Sequence, residues 1–284
     1  MMIKTNNHHF FSIFKRFLVL LFLFVFSFHG WTQVIDSRIL QQLAPKGVLN
    51  AAIYTGNFLL VTGKTADNTP EGVSPDMAKA IAEKLGVPLV LKPFSTQNEV
   101  VQAVASGDCG IVLVGSDPAR AEKIDFVPAY VEIEATYFVP EGSKLKSISD
   151  VDKPGIRIAV FGASAFGLWM DRNIHHAELV KTDGLEASLQ LFIDQKLDAL
   201  AGLRPGLITD QKRYPKYKIL DGHFMTVQQS IATRKGSPEA FEFIKNFVNE
   251  AKVSGFVEQL IVKHGVQGDF HRGHQSGWRK GRRS

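Results

Sequence analysis

The sequence predicts an α/β protein of two lobes, each a mostly parallel sheet flanked by helices, joined by two crossing segments. Three observations predict it. Short apolar runs alternate with helical patterns from about residue 47 onward, the signature of parallel sheets covered on both faces. Two similar strand–helix sets are separated by the extended stretch Thr136–Pro140. A second extended stretch, Gln228–Thr233, returns the chain.

The elements follow in order. Val48–Tyr54 reads as a strand. Ser74-Pro75-Asp76 opens a helix: Ser caps, Pro suits the first turn, and Asp complements the positive end of the dipole. Met77, Ile81 and Leu85 share one face, and Gly86 closes the helix. Val87–Leu91 is a strand, Asn98–Ser106 a helix, and Ile111–Val114 a fully apolar strand. Asp117-Pro118 opens a helical turn carrying Arg120. In the second set, Arg157–Phe161, Glu178–Thr182, Leu197–Ala201 and Tyr217–Leu220 read as strands, with Ala165–Asn173 and Leu185–Gln195 as helices. Ser237-Pro238-Glu239 starts a last helix with Phe241, Ile244, Val248 and Ala251 on its apolar face.

Charge narrows the function classes. The chain of 284 residues has a net charge of +5, but residues 1–33 contribute +3 and residues 267–284 contribute +4. The body, 34–266, is at −2, so it offers no charge argument for binding nucleic acid. At the N-terminus, Lys15-Arg16 precede the unbroken apolar run Phe17–Phe28, a signal-peptide pattern too short for a spanning helix. Residues 1–32 are therefore expected to be an export signal, with an uncleaved anchor as the alternative. The lone Cys109 excludes an internal disulfide and reads as a small core residue. Residues 267–284 lack periodicity and read as a disordered basic tail. The remaining division is 34–137 plus 231–266 for lobe one and 138–230 for lobe two.

Three blocks carry a resemblance. Gly72-Val73-Ser74-Pro75-Asp76-Met77-Ala78 is similar to the Gly-Phe-Asp-Val-Asp-Leu-Ala segment of type II periplasmic solute-binding proteins, in particular the polar amino-acid branch (family 3) of the ABC importers. Ser116-Asp117-Pro118-Ala119-Arg120 through Asp125-Phe126 and Pro128-Ala129-Tyr130 resembles that family's Thr-Pro-Glu-Arg…Asp-Phe-Ser-x-Pro-Tyr motif. Val160-Phe161-Gly162-Ala163-Ser164 lies where the family has Gly-Thr-Thr. The resemblance implies a periplasmic monomer that binds a small carboxylated or amino-acid-like ligand and delivers it to an ABC permease in the membrane, without catalysis. It also implies that Arg120 holds a ligand carboxylate, and that Ser164 adds a hydroxyl and helix N-terminal amides. Read without the family, spacing favours Arg120 as a surface arginine paired with Glu122 or Asp117, and Ser164 is equally a helix cap.

Departures from the family pattern bear on the ligand. The position where amino-acid binders carry an Asp for the α-ammonium falls on Leu203, and Gly115 replaces a Ser or Thr five residues before the arginine. Gln97 falls near the position of a stacking aromatic. Asn57, with Phe58, lies in the first strand–helix loop, where the family also contacts ligand. The expected ligand is a small carboxylate that need not bear an α-ammonium. Cofactor motifs are absent, and the adjacent His175 and His176 make a poor metal pair, so neither a cofactor nor a metal is expected. Two other roles stay open: an exported dehydratase-like enzyme on the same fold, acting on cyclic carboxylates, and a ligand sensor without transport.

Overall fold

The computed structural model describes residues 35–266. The expected export signal (1–32) and basic tail (267–284) lie outside the described residues.

The first half of the chain builds one end of a long sheet. Helix α1 (Ser37–Leu43), which the sequence pattern does not reveal, is capped by Asp36, whose carboxylate accepts from the Arg38 amide. Strand β1 (Leu49–Tyr54) follows, then a short hairpin of β2 (Gly63–Lys64) and β3 (Pro70–Glu71). Gly72 starts helix α2 (Val73–Leu85) at φ 143°, where a Cβ would lie 2.8 Å from Val61 Cα, so only glycine fits this junction. Met77, Ile81 and Leu85 are buried as the spacing predicts. Strand β4 (Leu89–Phe94) runs three residues beyond the predicted Val87–Leu91, with Pro93 tolerated because β4 is an edge strand. Helix α3 (Gln97–Ala105) opens with a Thr96–Glu99 capping box. Then come β5 (Ile111–Gly115), the single turn α4 (Pro118–Ala121) and β6 (Ile124–Phe126).

Strand β7 (Val131–Pro140) carries the chain across. Beyond it lie β8 (Arg157–Phe161), α5 (Ala165–Asn173), β9 (Glu178–Thr182) and α6 (Leu185–Asp194). They are followed by β10 (Ala199–Leu203), α7 (Arg204–Arg213) and β11 (Tyr217–Ile219). Strand β12 (Met225–Arg234) returns, and α8 (Pro238–Val253) and α9 (Phe256–Lys263) close the fold. The sheet order is β4-β1-β5-β12-β7-β10-β8-β9. Strands β4, β1 and β5 are mutually parallel, as are β10, β8 and β9. The two parallel sets meet through β12 and β7, which run antiparallel to each other over Met225–Gln229 and Val131–Ala135. The fold is thus two-lobed, as the sequence predicts. Thr136–Pro140 is the part of β7 that pairs within the second set, and Gln228–Thr233 includes the part of β12 that pairs with β5. Cys109 is 2% exposed in the core.

Helix α9 is tied to α2 through Asp76, whose carboxylate accepts from Lys263 (2.7 Å) and contacts His264 Nε2 (2.8 Å). Partial burial pulls that carboxyl upward, but the bonds from Lys263 and His264 outweigh it and hold the carboxyl below its ordinary value. The ionised form is therefore stabilising above the unfolded pKa, and this contribution disappears as pH falls through the lower folded value. Asp76→Asn is expected to cost about 0.5–1 kcal/mol at neutral pH and almost nothing near pH 2, because these groups are partly exposed. Thermal melts at both pH values check this; equal costs at the two would contradict it.

Candidate functional site

Four strand ends define the site. Tyr54, Gly115, Phe161 and Leu203 are the last residues of β1, β5, β8 and β10, two from each lobe, and all four line one small cavity of about 40 Å³. This is the crevice at the carboxyl ends of parallel strands where open α/β sheets bind ligands.

Arg120 projects into this crevice. Its helical turn is set by Asp117, which caps the Ala119 amide at 2.9 Å, and by Pro118 in the first position. The side chain is not at the surface, and it bonds neither Glu122 nor Asp117. Arg120 is 6% exposed; Nη1 donates to the Gly115 carbonyl (2.5 Å), and Nη2 donates to Gln97 Oε1 (2.7 Å) and to the Ala163 carbonyl (2.8 Å). The last bond crosses from one lobe to the other. Burial lowers the guanidinium to a pKa of about 10, with Asp117 and Tyr54 opposing the drop, so it stays charged at neutrality. A guanidinium carries five N–H donors. Three are committed to these carbonyl acceptors, leaving two for a ligand.

A second bridge lies beside it. Arg172, in the last turn of α5, pairs with Asp117 Oδ2 at 2.6 Å. Between lobes, Phe58 from the β1–β2 connection lies over Gly206 of α7, where an added Cβ would be 2.8 Å from the ring.

The predicted residues are brought together, though not all in the expected roles. Arg120, Gly115, Asn57, Gln97 and Ser164 all line the cavity. Gln97 does not stand in for an aromatic; it accepts a bond from Arg120. The Ser164 hydroxyl is already engaged, donating to the Phe161 carbonyl at 2.6 Å and accepting from the Gly167 amide at 2.8 Å. What α5 offers the cavity is instead its first turn, Ala165 and Phe166, whose amides have no acceptor within their own helix. Gly115 explains how closely the lobes approach: a Cβ there would meet Ala165 Cβ at 3.0 Å and Val227 Cγ1 at 3.1 Å. Leu203 also lines the cavity.

The sequence reading missed several residues. Tyr54, 8% exposed, is among them; its place at a strand end was the available signal. Burial pushes its hydroxyl upward, with the Arg120 charge pulling it down. Gln229 on β12 also lines the cavity, and its Oε1 is buried without a hydrogen-bond partner. A larger chamber of about 500 Å³ shares Tyr54, Gly56, Leu185 and Leu203 with the cavity. Its walls are largely apolar (Phe58, Leu189, Leu200, Leu207), with Asp210, Glu186 and Arg213 as its charged groups. Burial raises Asp210 to a pKa of about 6, with Arg213 pulling it down and Glu186 pushing it up.

Comparison with known proteins places this architecture. Residues 56–267 match the model of the bacterial extracellular solute-binding proteins, family 3. An ancestral amino acid-binding protein, precursor of cyclohexadienyl dehydratase, superposes with a TM-score of 0.67 at 23% identity, over 79% of this chain and 97% of that one. An ABC-transporter binding component from Wolinella succinogenes, complexed with lysine, gives 0.67 at 20% identity over 77% and 95%. A cysteine-binding protein from Campylobacter jejuni gives 0.67 at 20% over 81% and 94%. The membrane-bound lytic murein transglycosylase F of a Shewanella species is 29% identical over 119 residues, 41% of this chain but only 24% of that enzyme's length. With the match spanning most of the body and the crevice built from both lobes, the chain belongs to the bacterial extracellular solute-binding proteins of family 3.

Proposed function

We infer that this protein is the exported binding component of an ABC importer, closing its lobes, 34–137 plus 231–266 and 138–230, over a small carboxylated ligand in the periplasm. The observation that carries this reading is a buried, charged Arg120 in a crevice walled by strand ends from both lobes. Its two uncommitted N–H donors suit a carboxylate, and the first turn of α5 adds positive potential from the other lobe. The cavity has room for a carboxylate head, and the chamber for a larger body. Contacts from both lobes favour the closed state over the open one, which is what a binding component must signal to a permease.

Thermal-shift screening of the full chain against small carboxylates and amino acids tests the binding, and ligand uptake by cells lacking the gene tests the transport. No stabilising carboxylate would reject the first; unchanged uptake would reject the second. A second reading, catalysis on a cyclic carboxylate, is favoured by one observation, a chamber carboxyl with a pKa near 6 at Asp210, within the range of a general acid or base. Turnover of a cyclohexadienyl carboxylate that is lost in Asp210→Asn would decide for it.

A further inference from the structure

The cavity holds a positive charge and an orphaned acceptor, and no acid. Arg120 is the one charged residue among its described lining residues. Gln229, 5% exposed, lines the cavity, and its Oε1 is buried with no partner; an acceptor buried in this way costs free energy until a donor reaches it. The backbone leaves little freedom there, because Gln229 pairs with Gly115 on one side and Val131 on the other. The walls nearby, Leu185, Leu203, Phe166 and Val227, are apolar. A ligand carboxylate on Arg120 therefore places its neighbouring substituent among apolar groups and neutral polar ones, Tyr54, Asn57 and the amide oxygen of Gln229, with no carboxylate among them. An ammonium there would be buried beside a guanidinium with no carboxylate to balance it, which is costly. A hydroxyl satisfies the amide oxygen without bringing a charge.

We propose that the ligand is a 2-hydroxy carboxylate, its carboxylate held by Arg120, its hydroxyl donating to Gln229 Oε1, and its apolar body filling the chamber lined by Leu200 and Leu207. This rests on the reading of Arg120 as the carboxylate anchor. Gln229 then acts as a specificity residue carried on the strand that joins the lobes.

Calorimetry of the full-length chain with matched probes tests it. In a branched series the probes are 2-hydroxy-4-methylpentanoate, 4-methylpentanoate and leucine; in a phenyl series they are 3-phenyllactate, 3-phenylpropanoate and phenylalanine. In at least one series the hydroxy acid should bind about ten-fold tighter than its des-hydroxy partner, the size expected for one buried hydrogen bond, and tighter than the amino acid. Gln229→Leu should erase that gap, the hydroxy acid losing about ten-fold relative to its des-hydroxy partner. Gln229→Met, closer in shape, should do the same and stands in if the leucine variant does not fold. Leu203→Asp should reverse the order in favour of the amino acid. Equal binding of hydroxy and des-hydroxy acids, tightest binding of the amino acid, or a gap that survives in the Gln229 variants would overturn the proposal and leave Arg120 as anchor. Binding of none of the six probes would remove the anchor itself.

Discussion

Arg120→Ala is expected to lower the affinity for any small carboxylate that binds in the crevice by about 10- to 150-fold. That is the weight of a charge-assisted hydrogen bond, about 1.5–3 kcal/mol. The loss has two sources. The anion loses its donors, and the lobes lose the bond from Nη2 to the Ala163 carbonyl. Arg120→Lys restores the charge but not the planar fork, so it should recover only part of the affinity and leave Gln97 or Ala163 without its donor. Paired thermal-shift titrations of wild type and both variants measure this. A ligand that stabilises wild type and Arg120→Ala equally would exclude Arg120 from the site.

Gly115→Thr should be nearly as damaging for a different reason. It supplies the hydroxyl residue that the family pattern places there, yet the space is already taken. A Cβ alone would stand 3.0 Å from Ala165 Cβ and 3.1 Å from Val227 Cγ1, and threonine adds two further heavy atoms. Overpacking of this kind costs about 1–3 kcal/mol. In the proposed opening the Ala165 contact would be relieved, whereas the Val227 contact, on the strand paired with β5, would remain. Affinity should drop by roughly 5- to 150-fold, and the ligand-free melting temperature should fall by the Val227 share of the cost. Small-angle scattering should report a larger radius of gyration for the variant at saturating wild-type ligand concentration. Wild-type affinity with unchanged scattering would show that the lobes do not meet at Gly115.

Much of this architecture was legible in the sequence because its signals are local. Strand β8, helix α5 and strand β9 begin and end where the pattern puts them, each being a run of one period bounded by turn residues. Strand β10 runs Ala199–Leu203 and not Leu197–Ala201: Leu197 still belongs to the turn, its amide bonded to Phe192 O, and just ahead of the strand the Asp198 carboxylate accepts from the Arg157 amide. Helix α7 gave no signal: Pro205, Gly206 and Leu207 are its buried residues, and Arg204-Pro205-Gly206 looks like a turn. Arg204 itself turns to Glu134, with Nε–Oε2 at 2.7 Å. In the site, the side chains named from sequence do converge. The partners of Arg120 were only partly foreseeable, since a backbone carbonyl such as Ala163 O has no residue-type signature. Nor does alternation mark Gln229, whose meaning depends on both neighbouring strands being in place.

The shared strands β7 and β12 set the kind of motion the molecule can make. The rungs from Met225–Ala135 to Gln229–Val131 lie where one lobe gives way to the other, and each strand then continues into a different lobe. In the proposed opening such a pair would work as a torsion bar rather than a door hinge, the ribbon winding about its own axis with its rungs intact. Residue 229 sits on the last of those rungs, so a ligand held against its amide, as proposed, would feel the winding directly.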